Sequence, residues 1–230
     1  MKATYYNLRD WLFQNGAFHL PRIIVVFDTE TTGFASAQKS FEDPTQARMC
    51  QLGVAVVDTQ LRKIINTMDV IVEVPQVPGP VADIHGITTE MSHDFGMSES
   101  IASVAFLDLV REHPIVAFNV DFDARIMNCV FARAGMLESS PFIDGQTQND
   151  LVCAMKGVKE YAKVPVTDKQ RAKGFTGYKD PNLQEAYKAL VDPKGFENAH
   201  SAMADVEATM AVLFAAIDMI EADLWEPVNE

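Results

Sequence analysis

The stretch Ile23-Ile24-Val25-Val26-Phe27-Asp28-Thr29-Glu30-Thr31-Thr32-Gly33 decides the fold. Its first five residues are apolar and, except for Phe27, β-branched. A run this short, apolar at every position and stopped by acidic, Thr and Gly residues, predicts a strand buried on both faces. Side chains alternate along a strand, so Asp28 and Glu30 point to the same face. Two carboxylates a few ångströms apart repel unless a cation lies between them, more so where water screens weakly. Hard oxygen ligands of this kind suit Mg²⁺ or Mn²⁺. A turn with two solvated acids is the plainer alternative. The Thr31-Thr32-Gly33 tail weighs against it by adding hydroxyls, backbone N–H groups and a permissive glycine at the same edge.

The surrounding chain predicts what packs on that strand. Residues 34–49 are polar and read as a long loop. Residues 51–57 and 64–74 are further strands joined by a hairpin-like connection at 58–62, and Pro75, Pro78, Gly79 and Pro80 end the meander. Upstream, Leu8, Trp11, Leu12 and Ala17 mark a short helix over 5–18. Beyond the meander the period changes. Residues 98–112 form a helix around Ile101, Val104, Ala105, Leu107, Leu109 and Val110, with Ser98 as N-cap. Residues 115–118 are a short strand. A helix over 121–134 carries Phe122, Ile126, Val130 and Ala134 on one stripe and is closed by Gly135. Residues 141–143 read as a last edge strand. Helices follow over 149–158, 182–190 and 201–222. A meander followed by strands alternating with helices gives an α/β fold with a mixed five-stranded sheet flanked by helices.

A chain of 230 residues is one domain's worth. It is 48% hydrophobic and 22% charged, which excludes disorder. The sequence has no apolar run of membrane-spanning length and no signal-peptide pattern at Met1–Asn7, so a cytoplasmic protein with no membrane partner is expected. Cys50, Cys129 and Cys153 are widely spaced in apolar contexts and read as buried, reduced thiols. The net charge of -13 argues against a protein that coats nucleic acid, but not against an enzyme that engages a short strand through metal ions. The charge is uneven. From Lys156 to Lys179 there are seven Lys/Arg and two acids, a segment of +5 that leaves -18 elsewhere.

Two other constellations carry chemistry. Asn119-Val120-Asp121-Phe122-Asp123 lies where a strand hands over to a helix. Asp121 suits an N-cap, and Asp123 sits in the first turn, where the helix dipole favours a carboxylate. Phe122 heads the apolar stripe. Asn119 is a neutral donor and acceptor suited to a phosphate. His200-Ser201-Ala202-Met203-Ala204-Asp205 opens the last helix. Both side chains inside one helix would diverge by about 140°. His200 is therefore expected at or before the first turn, with Asp205 one turn inside and facing the sheet. The small residues Ala202, Ala204 and Ala208 let that helix lie close to the sheet.

The Asp-x-Glu-Thr-Thr-Gly, Asn-x-x-Phe-Asp and His-x4-Asp motifs occur in an order and spacing that resemble the DEDDh, DnaQ-like 3′–5′ exonucleases. That group includes the proofreading subunit of bacterial replicative polymerases, RNase T and oligoribonuclease. The likeness covers about residues 23–220 of one exonuclease domain, 1–230. Weaker echoes are Gln51-Leu52-Gly53, His85-Gly86-Ile87-Thr88, and Asn182-Leu183 through Leu190. The resemblance implies a ribonuclease H-like fold. It implies Asp28, Glu30, Asp123 and Asp205 as ligands of two Mg²⁺ or Mn²⁺ ions, and His200 as general base. Two such ions, about 3.5–4 Å apart, hold the scissile phosphate, activate water and stabilise the leaving 3′ oxygen. Histidine, with an unperturbed pKa near 6.5, can accept the water proton near neutral pH. Thr31, Thr32, Gly33, His85, Ile87, Asn119 and Phe122 are implied contacts to the terminal nucleotide or the phosphate backbone. For His85 a plain surface loop is an equal alternative.

Three departures stand out. Phe118 replaces the His that many relatives carry before the Asn, giving an apolar wall. The 34–49 loop is long. The basic stretch 156–180 looks like an insertion. It is either a solvated loop or a flap that tracks a phosphate backbone, with Tyr161, Phe175 and Tyr178 interleaved for stacking. The expected activity is a metal-dependent 3′–5′ exonuclease releasing nucleoside 5′-monophosphates from single-stranded or frayed DNA. RNA trimming of the oligoribonuclease kind is the alternative on the same core. A polymerase-associated proofreading or binding module, with a DNA polymerase as partner, is a second class. With only about residues 224–230 beyond the last helix, no tethering tail is expected.

Overall fold

The computed structural model describes residues 5–13, 16–143 and 149–225. A mixed sheet runs through it in the order β1-β6-β5-β2-β3-β4. Its strands are β1 (Tyr5–Tyr6), β2 (Ile23–Thr31), β3 (Met49–Asp58), β4 (Lys63–Ile71), β5 (Ile115–Ala117) and β6 (Leu151–Cys153). β2 pairs antiparallel with β3 and β3 with β4, while β5 is parallel to β2 and β6, and β6 to β1. The helices are α1 (Leu8–Leu12), α2 (Gly79–His85), α3 (Thr89–Phe95), α4 (Glu99–Val110), α5 (Val120–Arg133), α6 (Ala154–Ala162), α7 (Asp168–Arg171), α8 (Leu183–Leu190) and α9 (Ala202–Trp225).

The alternation of β2 divides the core. Val25 and Phe27 face α4 and α5 and join Phe106, Ile126 and Phe131. Ile24 and Val26 face the opposite side and join Leu8, Trp11, Val158, Val206 and Leu213. Phe27 is locked by edge contacts, its ring centroid 5.3 Å from Phe106 and 5.4 Å from Phe142. A strand so enclosed gives its following residues little freedom.

Several boundaries differ from expectation. The edge strand expected over 141–143 is not a strand. That place is taken by β6, inside the stretch read as a helix over 149–158. Leu151, Val152 and Cys153 are buried on both faces, and a short apolar run does not distinguish a buried strand from a helix. The N-terminal helix is confined to α1, because Tyr5 and Tyr6 pair with Leu151 and Val152 as an added edge strand. Residues 14–15 of that expected helix, and 226–230 of the C-terminal segment, lie outside the described residues. Helix α4 forms with Ser98 as its cap, but Ile101 and Val104 face solvent, and Ala102, Phe106 and Val110 face the core. Asn119, rather than Asp121, occupies the N-cap position of α5. All three cysteines are free and buried. Among the described residues no helix is long and apolar enough to cross a membrane.

Candidate active site

Strand β2 continues through the acidic motif to Thr31, so its alternation fixes where each side chain goes. Asp28 lies opposite Gly53 and Glu30 opposite Gln51. Both share the face of Ile24 and Val26, which α9 covers. Thr29 turns to the other face, where α5 packs. There its Oγ1 donates to Asp123 Oδ1 at 2.8 Å, and its backbone N–H donates to the same oxygen at 3.1 Å. Asp123 is 3% exposed. It is a buried carboxylate gripped by the strand end, rather than a solvated first-turn acid.

The approach of α9 depends on a glycine. A Cβ added at Gly53 would stand 2.7 Å from Ala202 C and 2.9 Å from Met203 N. The helix start can therefore lie directly on β3. Gln51 fastens it there, its Oε1 accepting from Ala202 N at 3.2 Å while its Nε2 donates to Asp69 at 2.8 Å. Asp205 then sits one turn into α9 over Asp28 and Glu30. His200 lies just before the helix with a left-handed backbone, φ 70°. Its N–H donates to Asp205 Oδ1 at 3.4 Å. The side chain of His200 is exposed, at the mouth of the site. Ligand atoms of Glu30, His200 and Asp205 all lie within 4.8 Å of one another.

Burial raises the pKa of all four carboxyls. Burial, followed by repulsion from Asp123, Asp205 and Glu30, pushes Asp28 well above the usual range. Burial and then Asp205 and Asp123 raise Glu30 to about 7. Burial raises Asp123 to about 7 against the opposing Thr29 hydrogen bonds. Burial raises Asp205 to about 6, moderated by His200. Hard divalent cations fit the all-oxygen donors of this group of acids, with the His200 imidazole at the rim.

The implied substrate residues separate into two groups. Thr31 Oγ1 donates to Gly33 O at 2.8 Å, and Thr32 is joined to Arg48 by two hydrogen bonds, so these residues shape the rim through its backbone. Among the described residues the Asn119 side chain makes no cap hydrogen bond to α5. His85 ends α2 with Nε2 3.6 Å from Cys50 Sγ. Burial lowers its pKa, the Thr31 backbone opposes this, and His200 adds repulsion, which places His85 beside the site rather than on a remote loop. Ile87 is 4% exposed, in a small cluster with Cys50, Val74 and Val77, so it supports the wall from behind. Phe122 is half-buried behind Phe34, which is 90% exposed at the mouth, with ring centroids 5.9 Å apart. Sequence reasoning missed Phe34 and gave Thr29 no role, although strand alternation singles Thr29 out. The long loop is held from within by Gln46, which bonds Ser36, Lys39 and Ser40, and by Arg125, which reaches Ser36 and Lys39.

The family model described as exonuclease, RNase T type, matches residues 25–213. The chain belongs to the DEDDh, DnaQ-like exonuclease family. Its fold matches that of E. coli exonuclease I in complex with a dT13 oligonucleotide, at TM-score 0.67 and 20% identity, over 90% of this chain and 43% of that one. The dA16 complex of the same enzyme matches at TM-score 0.67 and 20% identity, over 89% and 42%. Its zinc-bound form with single-stranded DNA matches at 0.66 and 19%, over 90% and 42%. The chain thus spans less than half the length of these structures. No curated protein sequence matches it.

Proposed function

We propose that this exonuclease domain, residues 1–230, hydrolyses phosphodiester bonds at the 3′ end of single-stranded DNA and releases nucleoside 5′-monophosphates. The observation that carries this reading is the convergence of Asp28, Glu30, Asp123 and Asp205 at the end of one buried strand, with His200 on the open side. The four acids would hold two Mg²⁺ or Mn²⁺ ions. When bound, such ions neutralise the scissile phosphate and make water acidic enough to attack it. His200, exposed and held by its backbone N–H against Asp205, accepts the proton of the attacking water. The Thr31–Gly33 backbone and His85 line the terminal nucleotide, and the Asn119 amide meets a phosphate oxygen. Phe34 stacks on a base with Phe122 as its support. Single-stranded DNA is favoured because the solved exonuclease I structures hold dT13 and dA16 strands.

The test compares a 5′-labelled linear strand with the same strand circularised, in Mg²⁺ or Mn²⁺. Shortening of the linear strand alone is expected, and cleavage of the circle would overturn an end-dependent reaction. His200→Ala should lower kcat by about 10²-fold or more with strand affinity little changed. An unchanged rate across the pH range would remove His200 as base.

A further inference from the structure

The segment between α5 and α8 has no part in the chemistry above, yet it concentrates positive charge on a strongly acidic chain. Lys156 and Lys159 lie on α6, and Lys163 is its left-handed C-cap, φ 49°. The spacing i, i+3 puts Lys156 and Lys159 on one helical face, and Lys163 follows at the end of the helix. The row begins at the active-site edge. There Lys156 Nζ is 2.6 Å from Asp121 Oδ2, and the Met155 N–H donates to Phe118 O at 2.8 Å. Midway, Lys159 Nζ lies 3.0 Å from Asp180. Beyond Lys163 the chain forms a flap. Lys179 N donates to Val164 O at 2.9 Å, Pro165 bridges Tyr178, and Thr167 caps the single turn α7 with a capping box. The tip presents Lys169, Arg171 and Lys173 beside Phe175, which is 58% exposed.

The C-terminal end of the flap stands on the rim of the site. Lys179 is bonded to Glu185 on α8. The first residues of α8, with their cap Asn182, line one cavity of about 170 Å³ together with His200 and Asp205. Tyr161 is half-buried in the core and does not belong to this surface.

We infer that the lysine row and the flap tip form a track for the upstream part of the single strand whose 3′ end lies at the acids. This rests on the proposed nuclease reading. The chain carries a formal charge of -18 outside this +5 segment, so a polyanion is drawn to the segment in preference to the rest of the chain. The Lys156 and Lys159 pairs are solvent-exposed, so exchanging a carboxylate for a phosphate costs little. Phe175 among the cations supplies a face on which a base can stack. The nine residues of α6 span about 13 Å. A trinucleotide, with two internucleotide phosphates, offers too few charges to engage the acids, the lysine row and the tip together, and a fifteen-nucleotide strand offers enough.

The experiment compares wild type with a Lys169→Gln, Arg171→Gln, Lys173→Gln triple variant and with Phe175→Ala. Cleavage of both substrates is measured at several salt concentrations. Binding of the fifteen-mer is followed by fluorescence anisotropy in EDTA. The triple variant should lower kcat/KM for the fifteen-mer about tenfold and flatten the slope of log affinity against log salt by about 2. Its trinucleotide cleavage should stay within about twofold. Phe175→Ala should weaken fifteen-mer binding about tenfold without changing that slope. Unchanged fifteen-mer binding and salt slope in the triple variant would overturn the track. If wild type cleaves neither substrate while the triple variant still loses binding, the nuclease reading fails and the track stands.

Discussion

Replacing Gly53 by Ala tests whether the active site is assembled by close approach of α9 to the sheet. The new Cβ would lie 2.7 Å from Ala202 C, whereas ordinary contact begins near 3.4 Å. The obstructing atoms are backbone, so no rotamer change relieves the clash. The helix start must retreat by about 0.7 Å, which stretches the Gln51 bond to Ala202 and carries Asp205 away from Asp28. Overpacking of this kind costs about 1–3 kcal/mol of stability, which a domain of this size survives. Misplacing a catalytic group by about 1 Å costs about 10²-fold in rate. The assay is single-turnover cleavage of a 5′-labelled strand at saturating Mn²⁺, with circular dichroism to show that the variant is folded. Gly79→Ala is the control, because a Cβ there meets nothing within 4 Å. A folded Gly53→Ala protein that cleaves within about threefold of wild type would refute the assembly described here.

Two further expectations concern the carboxylates. Glu30, at about 7 when folded against 4.5 as a free side chain, holds its proton better in the folded state. Metal-free protein therefore loses stability as pH rises from about 4.5 to about 7, by about 3 kcal/mol for Glu30 alone, and the loss is complete above that window. Metal at 100 times its Kd adds about 2.7 kcal/mol and so raises Tm by about 5–10 °C, with the larger rise at pH 8 than at pH 5. Thermal scans in EDTA and in Mn²⁺ check this, and a Tm insensitive to both would contradict it. Thr29→Val removes a hydrogen bond that holds the Asp123 pKa down. The acidic limb of the kcat/KM pH profile should then move up, and an unmoved limb would show that this bond does not set the charge of Asp123.

Much of the site was legible because its residues obey local periodicity. Asp28 and Glu30 share a face by strand alternation, and His200 and Asp205 fall on either side of a helix start. The helices expected over 182–190 and 201–222 form, while the capping box at Asn182 and the start at Ala202 are set by the fold. What escaped was set by partners distant in sequence. Leu151-Val152-Cys153 is apolar whether strand or helix, and only the open edge of β5 decides between them. Ile87 and Thr31 belong to motifs that suggest substrate contact, yet their side chains are held inward by Cys50 and Gly33. Phe34 lies in a polar loop whose interior is organised by Gln46, an order that no local pattern discloses. The basic segment was visible as charge, but its attachment to the rim through Asp121 and Glu185 required the fold.

The proposed metal-dependent 3′-end nuclease rests on four acids and a histidine. It is tested most directly by a time course on 5′-labelled single-stranded DNA and RNA of one sequence, in Mg²⁺, Mn²⁺ or EDTA, beside Asp28→Ala. The expected result is a ladder shortening from the 3′ end, nucleoside 5′-monophosphate as product, faster loss of DNA than RNA, and no reaction in EDTA or with the variant. Cleavage that persists in EDTA or in folded Asp28→Ala, or none by folded wild type with either ion, would contradict it.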